Sequence, residues 1–174
     1  MKLRDGFTIV EMLIVISVMM IISAMLLGSA RSNQTQIVLY TSQATVVGVL
    51  NKAKSLALAK WDPNKNPALS ACGFGVHFDV RNNLFILYQD SPTVSVACDN
   101  MGHDYGYVSG EDKEIQIITL DSRIEFAGSP ADIVFIAPYL KTNLNTKETI
   151  TLKVKDGIQT ARAEVTPGGG ITSL

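Results

Sequence analysis

The sequence has little of several residue types, and each scarcity excludes something. Its 174 residues include only two cysteines and two histidines. This excludes a disulfide-rich scaffold, and a zinc site would need further Cys or His at ligand spacing. The sequence also lacks a Gly-x-Ser-x-Gly elbow and a phosphate-binding loop. We therefore predict no enzymatic activity, no metal and no cofactor.

Neither sign of charge is in large excess, since 15 basic and 16 acidic side chains give a net charge of -1. The distribution along the chain is uneven. Residues 79–132 carry 3 basic and 10 acidic side chains, whereas residues 1–78 carry 7 and 3. An acidic middle does not support a broad surface for phosphates, which argues against nucleic acid as a partner.

Proline is absent from residues 7 to 60, and the apolar run from Phe7 to Leu27 contains a single charge, at Glu11. A run of this length can span the hydrocarbon core of a bilayer, which is about 30 Å thick. Lys2 and Arg4 precede it and predict a cytoplasmic amino terminus. We predict a single-pass segment in the inner (cytoplasmic) membrane. An ordinary secretory signal peptide is the alternative, because such peptides also combine a basic start with an apolar stretch.

Glu11 is expensive within such a segment, since an ionised side chain at mid-bilayer costs about 2.5 to 3.5 kcal/mol on insertion scales. Cleavage after Gly6 would create a positively charged amine at Phe7. Glu11 of one subunit could then neutralise the amine of a neighbour. The alternative is a tolerated polar residue that reaches the membrane surface from near one end of the span.

Gly6, Phe7, Thr8 and Glu11, with basic residues ahead and an apolar helix behind, resemble the type III signal of type IV prepilins and the related pseudopilins of secretion systems. In that family a membrane peptidase cleaves after the glycine and methylates the new phenylalanine amine. The resemblance implies a leader at residues 1–6 and assembly through Phe7, Thr8 and Glu11. It also implies three kinds of partner: other pilin or pseudopilin subunits, the prepilin peptidase/methyltransferase and an inner-membrane assembly platform.

Residues 28–61 continue the helix with an amphipathic pattern. The apolar positions include Val46, Leu50 and Ala53, with Val49, Leu56 and Ala57 alongside, while Asn51, Lys52 and Ser55 fall on the opposite side. The helix should end near Lys60 or Trp61, because Asp62-Pro63 biases the chain away from helical geometry.

Residues 62–174 change to a period of two, which predicts a β-rich domain. Arg81–Asn83 and Asp156–Gly157 predict tight turns. The segment from Asp90 to Glu114 predicts a long loop, and Gly168–Gly170 predicts a flexible turn before a last short strand. The predicted strands are Phe74–Phe78, Leu84–Tyr88, Ile115–Leu120, Ile124–Phe126, Ile133–Ile136, Thr149–Val154 and Thr160–Val165.

The whole chain therefore reads as an α+β protein, with a long amino-terminal helix packed on an antiparallel β-sheet domain. Cys72–Val76, Ile133–Pro138 and Val165–Ile171 resemble the β domain of general-secretion H-type pseudopilins and FimT-like minor pilins. This implies a structural, minor subunit of a type IV pilus or a type II secretion pseudopilus. The alternative is a ligand-binding pilin at a filament tip or cell surface, acting as an adhesin or in DNA uptake.

Cys72 and Cys98 predict one disulfide in an oxidising periplasmic or extracellular space, with two buried free thiols as the alternative. The long loop carries the candidate ligand residues of the tip hypothesis: Asp99, Asp104, Glu111 and Asp112. Their spacing does not match an EF-hand, and charged loops are usually solvated. His77 lies within a strand pattern, which predicts a half-buried structural histidine.

Overall fold

A computed structural model describes residues 8–60, 71–91, 105–137 and 139–174, with the side chains of residues 26–33 and 60 excepted. This part of the chain forms one helix, α1 (Ile9–Lys60), and nine strands in two antiparallel sheets. The predicted α+β class is confirmed. Two compact units divide the chain, Met1–Ile37 and Val38–Leu174. The boundaries predicted at residues 6, 27 and 61 differ from the border between these units, and they stay predictions.

Within the second unit, α1 buries one seam of small and aliphatic side chains against the sheets. The seam residues lie three, four or seven positions apart, which keeps them on one face of a helix. Each is at most 3% exposed: Leu39, Val46, Leu50, Ala53 and Ala57. The side predicted to be polar is exposed, as Asn51, Lys52 and Ser55 show. The amphipathic prediction for this stretch is confirmed. The described part of the helix reaches Lys60, and the predicted helix end near Lys60 or Trp61 stays a prediction.

The first sheet has the strand order β3-β2-β1-β5-β6. Its long strands pair as a meander, with His77 of β1 opposite Ile86 of β2 and Ile86 opposite Ile117 of β3. Its strands are β1 (Gly73–Asp79), β2 (Leu84–Asp90), β3 (Lys113–Thr119), β5 (Ile133–Ile136) and β6 (Lys141–Thr142).

The second sheet has the order β4-β7-β8-β9. Buried and exposed residues alternate along β7 and β8, as expected for strands with one face on a core. Its strands are β4 (Ile124–Phe126), β7 (Glu148–Val154), β8 (Thr160–Val165) and β9 (Ile171–Ser173).

The core joins the helix seam to the inner faces of both sheets in one cluster. Aromatic rings fill its centre: Phe78 and Phe126 meet edge to face with centroids 5.6 Å apart, and Phe85 lies 6.4 Å from Phe78. Large rings bury much apolar area per side chain, which suits a small domain. The carboxy-terminal strand is tied to α1, because Gln43 Nε2 donates to the carbonyl oxygen of Leu174 at 3.1 Å.

Both predicted tight turns are confirmed. Asp79 accepts hydrogen bonds from the backbone and side-chain nitrogens of Asn82, and Asn83 takes a left-handed φ of 54° to close the β1–β2 hairpin. At the other turn, Gly157 N donates to Val154 O at 3.2 Å. Short polar residues and glycine supply these conformations at little cost.

One expectation is wrong in its bounds, and one strand was not predicted. The loop expected from Asp90 to Glu114 is shorter, because β2 extends to Asp90 and β3 begins at Lys113. Strand β6 was not predicted, since a pair of residues, Lys141 and Thr142, carries no periodicity. The predicted final strand after the glycine run is confirmed as β9.

The glycine run begins in a turn, as predicted, and specific contacts hold its backbone. Gly169 has a φ of 75°, and a Cβ at this position would collide with the carbonyl oxygen of Leu140. Thr166 Oγ1 accepts the Gly170 amide at 3.0 Å, and Lys54 of α1 donates to Gly169 O at 2.9 Å. These contacts fix the run against β6 and the helix.

Candidate functional site

The amino-terminal end of α1 has the geometry of a capped helix. Thr8 directly precedes the helix, and its Oγ1 accepts the backbone N–H of Glu11 at 3.3 Å. The carbonyl of Thr8 accepts the amide of Met12 at 3.2 Å. Thr8 is therefore the N-cap and Glu11 the third helical residue, the spacing of a capping box. This role for Thr8 was missed, although the Thr-x-x-Glu spacing signals it.

Glu11 is exposed and lies in the first turn of the helix. The unpaired amides of a first turn carry a partial positive charge, which favours a carboxylate there. Glu11 thus has a local stabilising role in addition to any pairing with another subunit. Gly6 and Phe7, the predicted processing site, lie outside the described residues.

The surface that follows Glu11 is apolar on every side. From Ile9 to Met25 the large side chains are exposed around the whole circumference, with Ile9 at 81% and Met25 at 72%. The Ser17 hydroxyl turns back to the Leu13 carbonyl at 2.8 Å, which removes a polar group from this surface. A helix that is hydrophobic all round requires an apolar environment.

Within the described part of the chain, no helix combines the length and the apolarity that crossing a bilayer requires. The membrane segment predicted from Phe7 to Leu27 stays a prediction.

The described acidic residues of the long loop serve the loop itself. Asp112 Oδ1 accepts the amide of Ser91 at 3.1 Å, and Oδ2 accepts the amide of Val108 at 2.8 Å. Glu114 accepts the hydroxyl of Tyr107, and Glu111 is exposed. No group of carboxylates in the described residues could hold a metal ion. Asp99 and Asp104 lie outside those residues, so their role as ligands stays a prediction.

An aromatic cluster on the first sheet was not predicted as a unit. The rings of Tyr88 and Tyr107 meet edge to face at 5.2 Å, and the ring of Tyr107 lies 4.8 Å from that of His77. The Tyr88 hydroxyl donates to the carbonyl of Tyr105 at 2.8 Å. Gly75 makes room for the Tyr88 ring, because a Cβ there would meet the ring at 2.8 Å. The cluster fastens the end of the long loop to the sheet.

His77 is half-buried, as predicted, and it pairs with a carboxylate that the prediction did not include. Its Nδ1 lies 2.7 Å from Asp132 Oδ1. The hydrogen bond with Asp132 raises the pKa of His77, burial opposes the rise, and the charges of Asp132 and Asp79 add to it. The hydrogen bonds from Asn82 lower the pKa of Asp79. The hydrogen bond with Glu114 raises the pKa of Tyr107.

Cys72 is buried beside the start of β1 and is not a free thiol. Cys98 lies outside the described residues, so the Cys72–Cys98 pairing stays a prediction. The basic side chains of the second sheet are partly neutralised, since Lys147 pairs with Glu164 at 3.0 Å and Lys153 with Glu125 at 2.8 Å.

Residues 1–27 match the model of a family described as the prokaryotic N-terminal methylation motif. The chain carries a prepilin-type methylation motif. The resemblance drawn from Gly6, Phe7, Thr8 and Glu11 is therefore confirmed at the amino terminus. No curated protein matches the sequence.

Among solved structures, the chain is similar to the minor pseudopilin EpsH from the Type 2 Secretion System of Vibrio cholerae. The two are 15% identical with a TM-score of 0.49, over 78% of this chain and 95% of that chain.

Proposed function

We propose that this protein is a structural subunit of a type IV pilus or a type II secretion pseudopilus, and that it is a minor, H-type component. The observation that carries the proposal is the methylation motif over residues 1–27. The motif includes the start of a helix whose large apolar side chains, from Ile9 to Met25, are exposed in the part of the chain that the structure describes. The β strands beyond residue 71 are the part presented outside the membrane.

The apolar surface of α1 is suited to two environments, first lipid and then the helices of other subunits. In the precursor, lipid surrounds the Phe7–Leu27 segment and the amino terminus stays cytoplasmic. On assembly, the same side chains pack among the helices of neighbouring subunits. Moving apolar surface from lipid to apolar protein costs little hydrophobic free energy, so assembly depends on packing and on polar contacts.

Glu11 is the polar contact of that step. Cleavage after Gly6 by a peptidase/methyltransferase frees the Phe7 amine, and Glu11 of an entering subunit pairs with the amine of a neighbour. The Thr8 cap supports this geometry, because it sets the helix cap one residue after Phe7 and holds the Glu11 backbone in the first turn. An assembly platform in the inner membrane supplies and orders the subunits.

The β-rich part lies on the periplasmic or extracellular side, where Cys72 and Cys98 form a disulfide. Closing this loop would contribute about 3.5 kcal/mol in the chain-entropy model. The tip-adhesin alternative receives no specific support from the described loop, since both Asp112 oxygens already accept backbone amides.

Mass spectrometry of the amino terminus tests the processing step. Envelope fractions from cells that hold the prepilin peptidase should yield a chain that begins at N-methylated Phe7, and cells without the peptidase should yield one that begins at Met1. An intact Met1 in both would contradict the proposal.

Crosslinking between subunits tests the assembly step. Glu11→Ala should reduce crosslinked oligomers by tenfold or more, because it would leave the buried Phe7 amine of the neighbouring subunit without a partner. The chain should still be processed and membrane-bound. Glu125→Ala is the matched control, because it removes a half-buried carboxylate of β4 that pairs with Lys153, and it should leave crosslinking unchanged.

A further inference from the structure

His77 lies on the face of β1 that points away from the helix. Phe74, Val76 and Phe78 belong to the core, and alternation along the strand places His77 on the opposite face. In the β1–β5 register, Val76 faces Ile133. The next position brings His77 beside Asp132, the residue just ahead of β5, with Nδ1 and Oδ1 2.7 Å apart.

The Asp132 carboxylate bridges the sheet to the end of the long loop. While one oxygen meets His77, Oδ2 accepts the backbone N–H of Tyr107 at 2.8 Å. The Tyr107 ring also lies over the imidazole, with an interplanar angle of 31°. His77 therefore touches the segment Tyr105–Val108 both directly and through the carboxylate.

The groups facing His77 favour its charged form. Asp132 comes from the residue before β5, Asp79 from β1 itself and Tyr107 from the loop segment, while Ile86 on β2 is apolar. Farther out, Glu114 accepts the Tyr107 hydroxyl. No basic side chain forms a described contact with His77.

We propose that His77 and Asp132 form a proton-dependent latch that fastens the Tyr105–Val108 segment to the outer face of the first sheet. With His77 protonated, the ion pair orients Asp132 to hold the Tyr107 amide. With His77 neutral, the ion pair is lost and the segment keeps its other contacts, among them the Tyr88–Tyr105 hydrogen bond and the bond from the Tyr107 hydroxyl to Glu114. The segment then opens more often and uncovers Tyr88, which is fully buried when the latch is closed.

The sign of the pH dependence follows from proton linkage. Fastening raises the pKa of His77 above 6.5, so the closed state holds the proton more tightly than the open one. The extra stability of the closed state is complete below about pH 6.5, and it is lost as the pH rises through the raised pKa of His77. Between about pH 6.5 and the raised pKa, the equilibrium constant for opening of the segment can rise by at most about tenfold per pH unit.

Amide hydrogen exchange of the full chain in detergent micelles, from about pH 5.5 to about pH 8.5, tests the latch. Protection at Tyr107, corrected for the intrinsic rate, should fall by up to about tenfold per pH unit above about pH 6.5 and then level off. His77→Gln keeps a hydrogen-bonding side chain but cannot titrate, so it should remove this slope. A flat profile in the native chain, or an equal slope in His77→Gln, would overturn the proposal.

Two further variants separate the latch from general electrostatics. Asp132→Asn keeps an acceptor for the Tyr107 amide but removes the charge, so it should lower the His77 pKa measured by NMR toward 6.5. Asp121→Asn breaks an exposed pair with Arg123 and should leave the Tyr107 slope unchanged. An unshifted His77 pKa in the first variant, or a lost slope in the second, would contradict the latch.

Amide exchange in β7 and β8 would show whether His77→Gln folds. If it does not, the His77 pKa measured by NMR in Asp132→Asn still tests the latch. The inference does not depend on filament assembly, because every measurement uses the isolated chain.

Discussion

Large apolar side chains are exposed in one stretch of α1 and buried in another. Between Ile9 and Met25, the large apolar side chains are exposed by 47% at Val15 to 81% at Ile9. Between Leu39 and Ala57, the residues of the seam are at most 3% exposed. The second stretch finds its apolar environment in the sheets of its own unit. The large side chains of the first stretch have no such cover among the described residues of their own unit.

A core substitution provides the largest test of this contrast. Leu50→Ala should lower the free energy of unfolding by about 2 to 5 kcal/mol, because it leaves a cavity at a position with no exposed surface. Urea unfolding of the full chain in micelles, followed by circular dichroism of the β signal, measures the change. Ile14→Ala removes a similar side chain from the exposed stretch and should change the same transition by less than about 0.5 kcal/mol. Equal effects would contradict the contrast.

The cap at the start of the exposed stretch has a smaller effect, confined to the first turn. Thr8→Ala should cost about 1 kcal/mol of local helix stability, since the Glu11 amide loses its acceptor. Amide exchange at Glu11 and Met12 in micelles should then rise about fivefold. Thr45→Ala is the control, because the Thr45 hydroxyl only bonds back to Thr41 O within the helix. Faster exchange at Glu11 in the control would show that capping is not the cause.

The smallest expected effect lies on the exposed side of the second stretch. A Cβ at Gly48 would meet no atom within 4 Å, so Gly48→Ala should raise the stability of the folded unit by about 0.5 to 1 kcal/mol. Gly169→Ala should do the opposite, because its left-handed φ and the nearby Leu140 carbonyl both exclude a side chain. Chemical denaturation of the two variants compares the signs. A destabilised Gly48→Ala would mean that the helix is constrained there by a contact not described above.

Much of the fold could be predicted because its signals are local. The β1–β2 hairpin, for example, was predicted from the turn residues Arg81–Asn83. The strands β4, β5 and β8 were predicted with the bounds that the structure shows. Strand β6 could not be predicted, because it forms only through pairing with β5 and through the amide of Thr142 that donates to Pro167 O.

Among the candidate sites, too, local relations could be predicted and distant contacts could not. Glu11 and Thr8 lie three residues apart, so their relation was readable, although the capping bond itself was missed. Asp112 was predicted as a candidate ligand, and the structure shows both of its oxygens held by backbone amides. Sequence position cannot show every donor that a loop carboxylate will meet, because the amide of Ser91 comes from the other end of the loop, 21 residues away along the chain.

The sequence by itself determined the methylation motif, the long helix, its change from apolar to amphipathic character, and most of the strands. These are patterns over a few residues, governed by local backbone preferences and by the periods of helix and strand. Only the tertiary structure decided the strand order, the fixed glycine run and the meeting of His77 with Asp132, which are 55 residues apart. Such contacts depend on which strands pair and in which register, and a shift of one residue would have turned His77 to the core.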